Sequence, residues 1–128
     1  METKICTTIE QCERLIKLGL DKSTADMHYF FDGYNPTRLD VGYDKESSKF
    51  YRGTNNKYIP AWSLDALLNL IPNYTFIHMN GTYLCVFYSE PIKSLYPQHI
   101  THIHNTSIDA AFKMVVWLLE NGYIKPIK

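Results

Sequence analysis

Apolar residues recur at helical spacing near both ends of the chain and near its middle, and two β-prone runs meet at an Asn-Gly step between them. The longest helical pattern is SIDAAFKMVVWLLENGYI, residues 107–124. Its polar stripe is narrow, formed by Asp109, Lys113 and Glu120, with Val116 on the stripe and Trp117 at its edge. A helix apolar over most of its circumference is buried on more than one side. Ser107 is the first candidate N-cap, with Thr106 and Asn105 as neighbours able to replace it. Asp109 suits the positive end of the dipole and stands at pairing distance from Lys113. Gly122 followed by Tyr123 predicts a left-handed stop with an apolar contact. Too many polar residues interrupt the run for it to span a membrane.

The N-terminal pattern predicts an amphipathic helix over 7–18, after a short strand start at Lys4 to Cys6. Thr7 with Glu10, or Thr8 with Gln11, has the spacing of a capping box. Ile9, Cys12, Leu15, Ile16 and Leu18 form its apolar face, and Gly19 with Leu20 repeats the stop seen at the other end. In the middle, AWSLDALLNLIP predicts a short helix. Ser63 is its cap, Trp62 and Leu67 have hydrophobic-staple spacing, and Pro72 ends it.

The hairpin cue is Asn80-Gly81, because a type I′ turn needs positive φ at both central residues. That turn fixes the register: Met79 opposite Thr82, His78 opposite Tyr83, Ile77 opposite Leu84 and Phe76 opposite Cys85. Alternation then puts Ile77, Met79, Leu84 and Val86 on one face and Tyr74, Phe76, His78, Tyr83, Cys85 and Phe87 on the other. We expect the aliphatic face to meet the terminal helices. The aromatic face then needs a cover: the short helix, the 27–51 region or a partner.

The remaining chain gives weaker signals. Met27 to Phe31 and Arg38 to Tyr43 read as strands around turn residues Asp32, Gly33, Asn35 and Pro36. Residues 44–56 read as a polar loop, with a β element suggested at Phe50 and Tyr51. Residues 90–97 read as a connection, and 98–104 (QHITHIH) as a last strand. The expected architecture is a single α+β domain over 1–128, with an antiparallel sheet centred on the 74–88 hairpin and packed against the N- and C-terminal helices.

Composition narrows the function more than it names one. Lys plus Arg equals Asp plus Glu, 13 of each, so no nucleic-acid partner is expected. No charged-then-apolar leader is present, and the 3 cysteines lack CxxC spacing. Reduced, buried thiols in a cytoplasmic protein are expected. The 10 tyrosines suit strands and also recognition surfaces.

Candidate chemistry is sparse. His99, His102 and His104 are weak metal candidates, with His78 as a distant third ligand for the His102–His104 pair. Structural or surface histidines are the simpler reading, and no metal or cofactor is expected. Cys85 beside His78 is the start of a thiol nucleophile, but no orienting Asn or Asp is evident. Glycine-rich phosphate loops, GxSxG and HExxH are absent. Asp26, Asp32, Asp40 and Asp44 are read as solvated acids.

KICTTIEQ (4–11), STADM (23–27), IPAWSLDALL (59–68) and DAAFKMVVWLLENGYIK (109–125) together resemble a family of small proteins without assigned activity, encoded by anaerobic gut bacteria and their phages and mobile elements. The resemblance implies a cytoplasmic accessory protein of prophage origin and transfers no catalytic or binding residue. The expected function is a non-catalytic module that meets another protein, or its own second copy, through aromatic surface. The alternative is a small-ligand binder or enzyme. Its aromatic-lined pocket would be built from Tyr74, Phe76, His78, Tyr83 and Trp62.

Overall fold

Helix α3 (Ser107–Glu120) is the element the rest of the chain surrounds. Ile108, Ala111, Met114, Val115 and Leu118 are all buried, and even Val116, on the polar stripe, is covered. The computed structural model describes residues 4–32, 35–41, 57–88 and 97–127. The polar loop expected at 44–56 and the β element at Phe50 and Tyr51 lie outside them.

Chain order is α1 (Ile9–Lys17), β1 (Met27–Asp32), β2 (Asn35–Val41), β3 (Lys57–Ala61), α2 (Leu64–Leu68), β4 (Tyr74–Met79), β5 (Thr82–Phe87), β6 (His99–Ile100) and α3. A 3-10 turn at Lys22–Thr24 precedes β1. The strands form two antiparallel three-stranded sheets, ordered β2-β1-β3 and β4-β5-β6. The fold is therefore α+β, with the hairpin sheet as expected and a further sheet in which β1 and β2 overlap the strands expected at 27–31 and 38–43 and β3 is added. One cluster of buried side chains joins them, drawing Ile59 and Ala61 from the first sheet and Cys85 and Phe87 from the second. Trp62 lies in this cluster with no exposed surface.

Local chemistry explains the element ends. Thr8, not Thr7, caps α1: its side chain accepts from Gln11 N, and the Gln11 side chain returns to Thr8 N. Thr7 is instead fully buried and exchanges bonds with Trp62, its N–H donating to the Trp62 carbonyl at 2.9 Å and its hydroxyl accepting from Trp62 N at 3.1 Å. Thr106 rather than Ser107 caps α3, accepting from Asp109 N at 3.0 Å. Both glycine stops form as read. Gly19 and Gly122 have φ of +94° and +81°. Leu20 N donates to Leu15 O, and Tyr123 N to Leu118 O. Ser63 caps α2, and Asp26 receives both the Ser63 hydroxyl and its N–H. Asp26 is thus a half-buried brace for the start of α2, not the solvated acid expected.

Asp109 does not pair with Lys113. It bonds Lys4 and accepts from Gln11 Nε2 at 2.8 Å, which ties the chain's N-terminal segment and α1 to α3. Burial raises the Asp109 pKa, but the bonds from Lys4, Gln11 and Thr106 outweigh it and hold the acid below its ordinary value. The charged form therefore adds stability at pH values above the unfolded carboxylate pKa of about 3.9. That contribution is lost as pH falls through the folded-state value, where the native carboxylate takes up its proton. Asp109→Asn should cost about 1 kcal/mol at neutral pH, the scale of a partly exposed charged bond. Urea titrations across pH should show the gap to wild type closing in acid. A gap that stays constant with pH would mean that the carboxylate's charge contributes nothing.

The hairpin forms in the expected register, with Asn80 and Gly81 both at positive φ. The face assignment is inverted. Helix α3 lies against β5 on the side of Cys85 and Phe87, both essentially unexposed. Phe87 meets Trp117 and Tyr123 at ring separations of 6.2 and 5.0 Å. The aliphatic side is open near the turn instead, where Ile77 is 40% and Met79 64% exposed, while Val86 farther along the same side is buried. Helix α1 packs on β3 and does not cover the hairpin sheet's aliphatic side. The cause is side-chain size. Cys85 is small enough to admit a helix at mid-sheet, and Phe87 removes more apolar area from water than the aliphatic alternatives.

Candidate binding surface beside the hairpin

The aromatic face divides in two along the sheet. Cys85 and Phe87 of β5 are closed over by α3, while Tyr83 and the part on the outer strand β4 lie open beside α2. The two-turn helix is fixed there by the Ser63 cap and the Asp26 brace, which turn Leu64 and Leu68 toward the hairpin. Tyr74, Phe76, His78 and Tyr83 converge with them on one open depression of about 440 Å³. Tyr74 and Phe76 meet edge to face, with centroids 6.0 Å apart at 84°. His78 stacks on Tyr83 with centroids 4.3 Å apart at 5°. Phe76 and Tyr83 are half-buried and lean on the core, whereas Tyr74 and His78 are exposed.

Four of the residues read from sequence are thus neighbours in space. Trp62 is not with them. It is a core residue, its indole N–H donating to the Thr24 hydroxyl at 2.9 Å. The short helix, one of the covers expected for the aromatic face, supplies Leu64 and Leu68 to the lining, and Ser107 at the base of α3 completes it. The sequence signal of Leu64 and Leu68 is the apolar stripe of the short helix, and Ser107 reads only as a helix cap.

The surface can hold an apolar or aromatic group, with an imidazole and tyrosine hydroxyls at its rim. Among the described residues it offers no activated thiol nucleophile. Cys85 is fully buried, and burial pushes its thiol up to about 12, so the nucleophilic thiolate does not form near neutrality. His78 is an exposed side chain stacked on Tyr83, not a base held against that thiol.

His99, His102 and His104 line a second depression, of about 270 Å³, between α1, α3 and β6. Only His99 and Ile100 of the expected 98–104 strand are in the sheet, with a single further bridge between Tyr83 and His104. His99 lies flat on Trp117 at 4.3 Å. Burial first, and His102 second, push its pKa down. Burial and the Lys113 and His102 charges do the same for His104, against the pull of Asp109. Arg14 and Glu120 pair across the rim at 3.5 Å. Among the described residues, no three His, Cys, Asp or Glu side chains are grouped to hold a metal ion. No helix among them is long and apolar enough to cross a membrane. No protein-family model, curated protein or solved structure matches this chain.

Proposed function

We propose that this protein is a non-catalytic binding module that recognises another polypeptide through the aromatic depression beside β4. The convergence of Tyr74, Phe76, His78 and Tyr83 against Leu64 and Leu68 carries this reading. Aromatic residues with apolar bodies and polar tips are the side chains enriched where proteins meet. The depression is open, with few polar groups aimed into it, which favours a polypeptide's side chains over an enclosed small ligand. Three free, buried cysteines suit a reducing compartment such as the cytoplasm. An accessory role in a phage or mobile element follows from the sequence resemblance and rests on that alone.

Peptide display tests the reading. Selection on the wild type, with counter-selection on the Tyr74→Ala/His78→Ala double variant, should enrich peptides with large apolar side chains. Those peptides should bind the double variant at least about tenfold more weakly, the scale of losing 1.4 kcal/mol of contact. They should also shift the NMR signals of Tyr74, His78 and Tyr83. Peptides that bind both proteins equally, or no enrichment at all, would remove the reading.

A further inference from the structure

Among the described residues, no strand pairs with the outer edge of β4. β4 ends the sheet order β4-β5-β6, and five of its six residues are exposed. The two-residue turn makes Met79 and Thr82 a hydrogen-bonded pair, so Met79, Ile77 and Thr75 direct their backbone groups toward β5. Tyr74, Phe76 and His78 then direct theirs outward. The far side of β5 confirms the phase. Tyr83 and His104 exchange backbone bonds of 2.8 Å, Thr101 N donates to Cys85 O, and Gln98 N donates to Phe87 O. Tyr83, Cys85 and Phe87 are the partners of His78, Phe76 and Tyr74, so they turn away from β4 as its outward residues turn away from them. No described residue bonds the outward groups of Tyr74, Phe76 or His78.

Exposed edges are usually blunted by a lysine, a proline, a bulge or an inward charge. YTFIHM has none of these, and its register with β5 is unbroken. Residues 66–89 contain no Asp, Glu, Lys or Arg at all. That stretch covers all of the hairpin and most of α2. Charge decides between occupants here. At a two-fold axis each side chain faces the same surface of its copy, so any ionised group would meet its like. This surface has no carboxylate, ammonium or guanidinium to do so. The faces also match: aromatic continues aromatic, and aliphatic continues aliphatic.

We infer that β4 pairs antiparallel with β4 of a second copy, joining two hairpin sheets into one of six strands. This rests on the binding reading above and names its partner. The register that uses every outward group sets Phe76 opposite Phe76 of the other copy, with Tyr74 opposite His78. These are roughly three bonded pairs of two bonds each. Thr75 then faces Ile77 of the other copy on the outer side, as a non-bonded pair with close Cβ atoms. The two aromatic depressions adjoin across the axis, and the exposed Ile77 and Met79 of both copies form one apolar band. A strand of six residues is a short interface, so the dimer belongs to the weak class, with a dissociation constant of roughly micromolar order.

Sedimentation equilibrium on the full chain, from about 1 µM to 1 mM, reads the association directly. The wild-type mass should rise from monomer to dimer over that range. Thr75→Lys, which leaves Tyr74, Phe76, His78 and Tyr83 in place, should weaken association at least tenfold (about 1.4 kcal/mol) while its urea midpoint stays that of wild type. An equimolar mixture of Thr75→Cys and Ile77→Cys chains should form a disulfide-linked dimer under mild oxidation. Neither variant alone should do so, because the native thiols are buried. A concentration-independent monomer, a dimer unaffected by Thr75→Lys, or cross-linking of Ile77→Cys alone would overturn this pairing. A monomer that still takes the display-selected peptides at Tyr74 and His78 overturns the self-pairing and leaves the binding reading standing. Loss of peptide selectivity with β4 pairing intact does the reverse.

Discussion

Trp62→Ala should cost about 3–5 kcal/mol of folding stability, the range for emptying the site of a buried aromatic. Trp62 is fully buried among residues drawn from both sheets and all three helices, so no single neighbour can move in to refill the space. Its backbone bonds to Thr7 would survive the change, because they use main-chain atoms of Trp62. The indole bond to Thr24 would not. Trp62→Phe separates the two effects. It keeps most of the apolar volume and should cost about 1–2 kcal/mol, mostly the lost bond and a small void. Far-UV circular dichroism during urea unfolding is the measurement, since fluorescence would lose one of its two tryptophan reporters. A chain with total stability of about 5–15 kcal/mol has little left after the alanine change. A loss below about 1 kcal/mol for Trp62→Ala would mean that the two sheets do not share this core.

Trp62 also marks the limit of what local spacing determines. Its position before Ser63 and its spacing to Leu67 marked it as a packing residue, yet its size also made it a candidate for binding. Sequence spacing fixes which residues share a local face. It does not fix which face a distant element covers. The hairpin register followed from two residues, Asn80 and Gly81, because the turn's backbone geometry is a local property. The covered side did not follow, since both faces of the ribbon are apolar and the choice belongs to α3, some twenty residues further on. Hence Tyr74, Phe76, His78 and Tyr83 are legible as a group, while the choice of the short helix, with Leu64 and Leu68, among the three possible covers is not.

In the first sheet β1 and much of β2 are legible as β-prone runs, and β3 is the strand the local pattern does not show. β3 carries Pro60, which reads against a strand, but β3 is an edge strand, where a missing N–H is tolerated. The Lys4–Asp109 bridge spans 105 positions, and no local rule could prefer it to the nearby Lys113. Helix ends were the most legible feature. The Thr8–Gln11 capping box, the Ser63 cap and the two glycine stops each depend on a few consecutive residues and their own backbone.

Those two stops look alike in sequence but should respond differently to one methyl group. Gly122→Ala should cost about 1 kcal/mol, the strain of holding an L residue at φ +81°, because nothing lies within 4 Å of the added carbon. Gly19→Ala carries the same kind of strain at φ +94° and adds a collision: the new Cβ would sit 2.5 Å from Pro126 Cβ and 3.0 Å from Ile127 O. The chain's last described residues pack onto Gly19, whose carbonyl accepts from Ile127 N at 2.7 Å. Relief requires that segment to lift, which breaks this bond. The expected cost of Gly19→Ala is therefore about 2–3 kcal/mol, strain plus a lost bond. Urea midpoints of the two variants measure the difference, and amide exchange at Ile127 reports the segment itself. Protection there should fall in Gly19→Ala and hold in Gly122→Ala. Equal costs with unchanged protection at Ile127 would show that the helix stop alone, and not the chain packed against it, requires glycine at position 19.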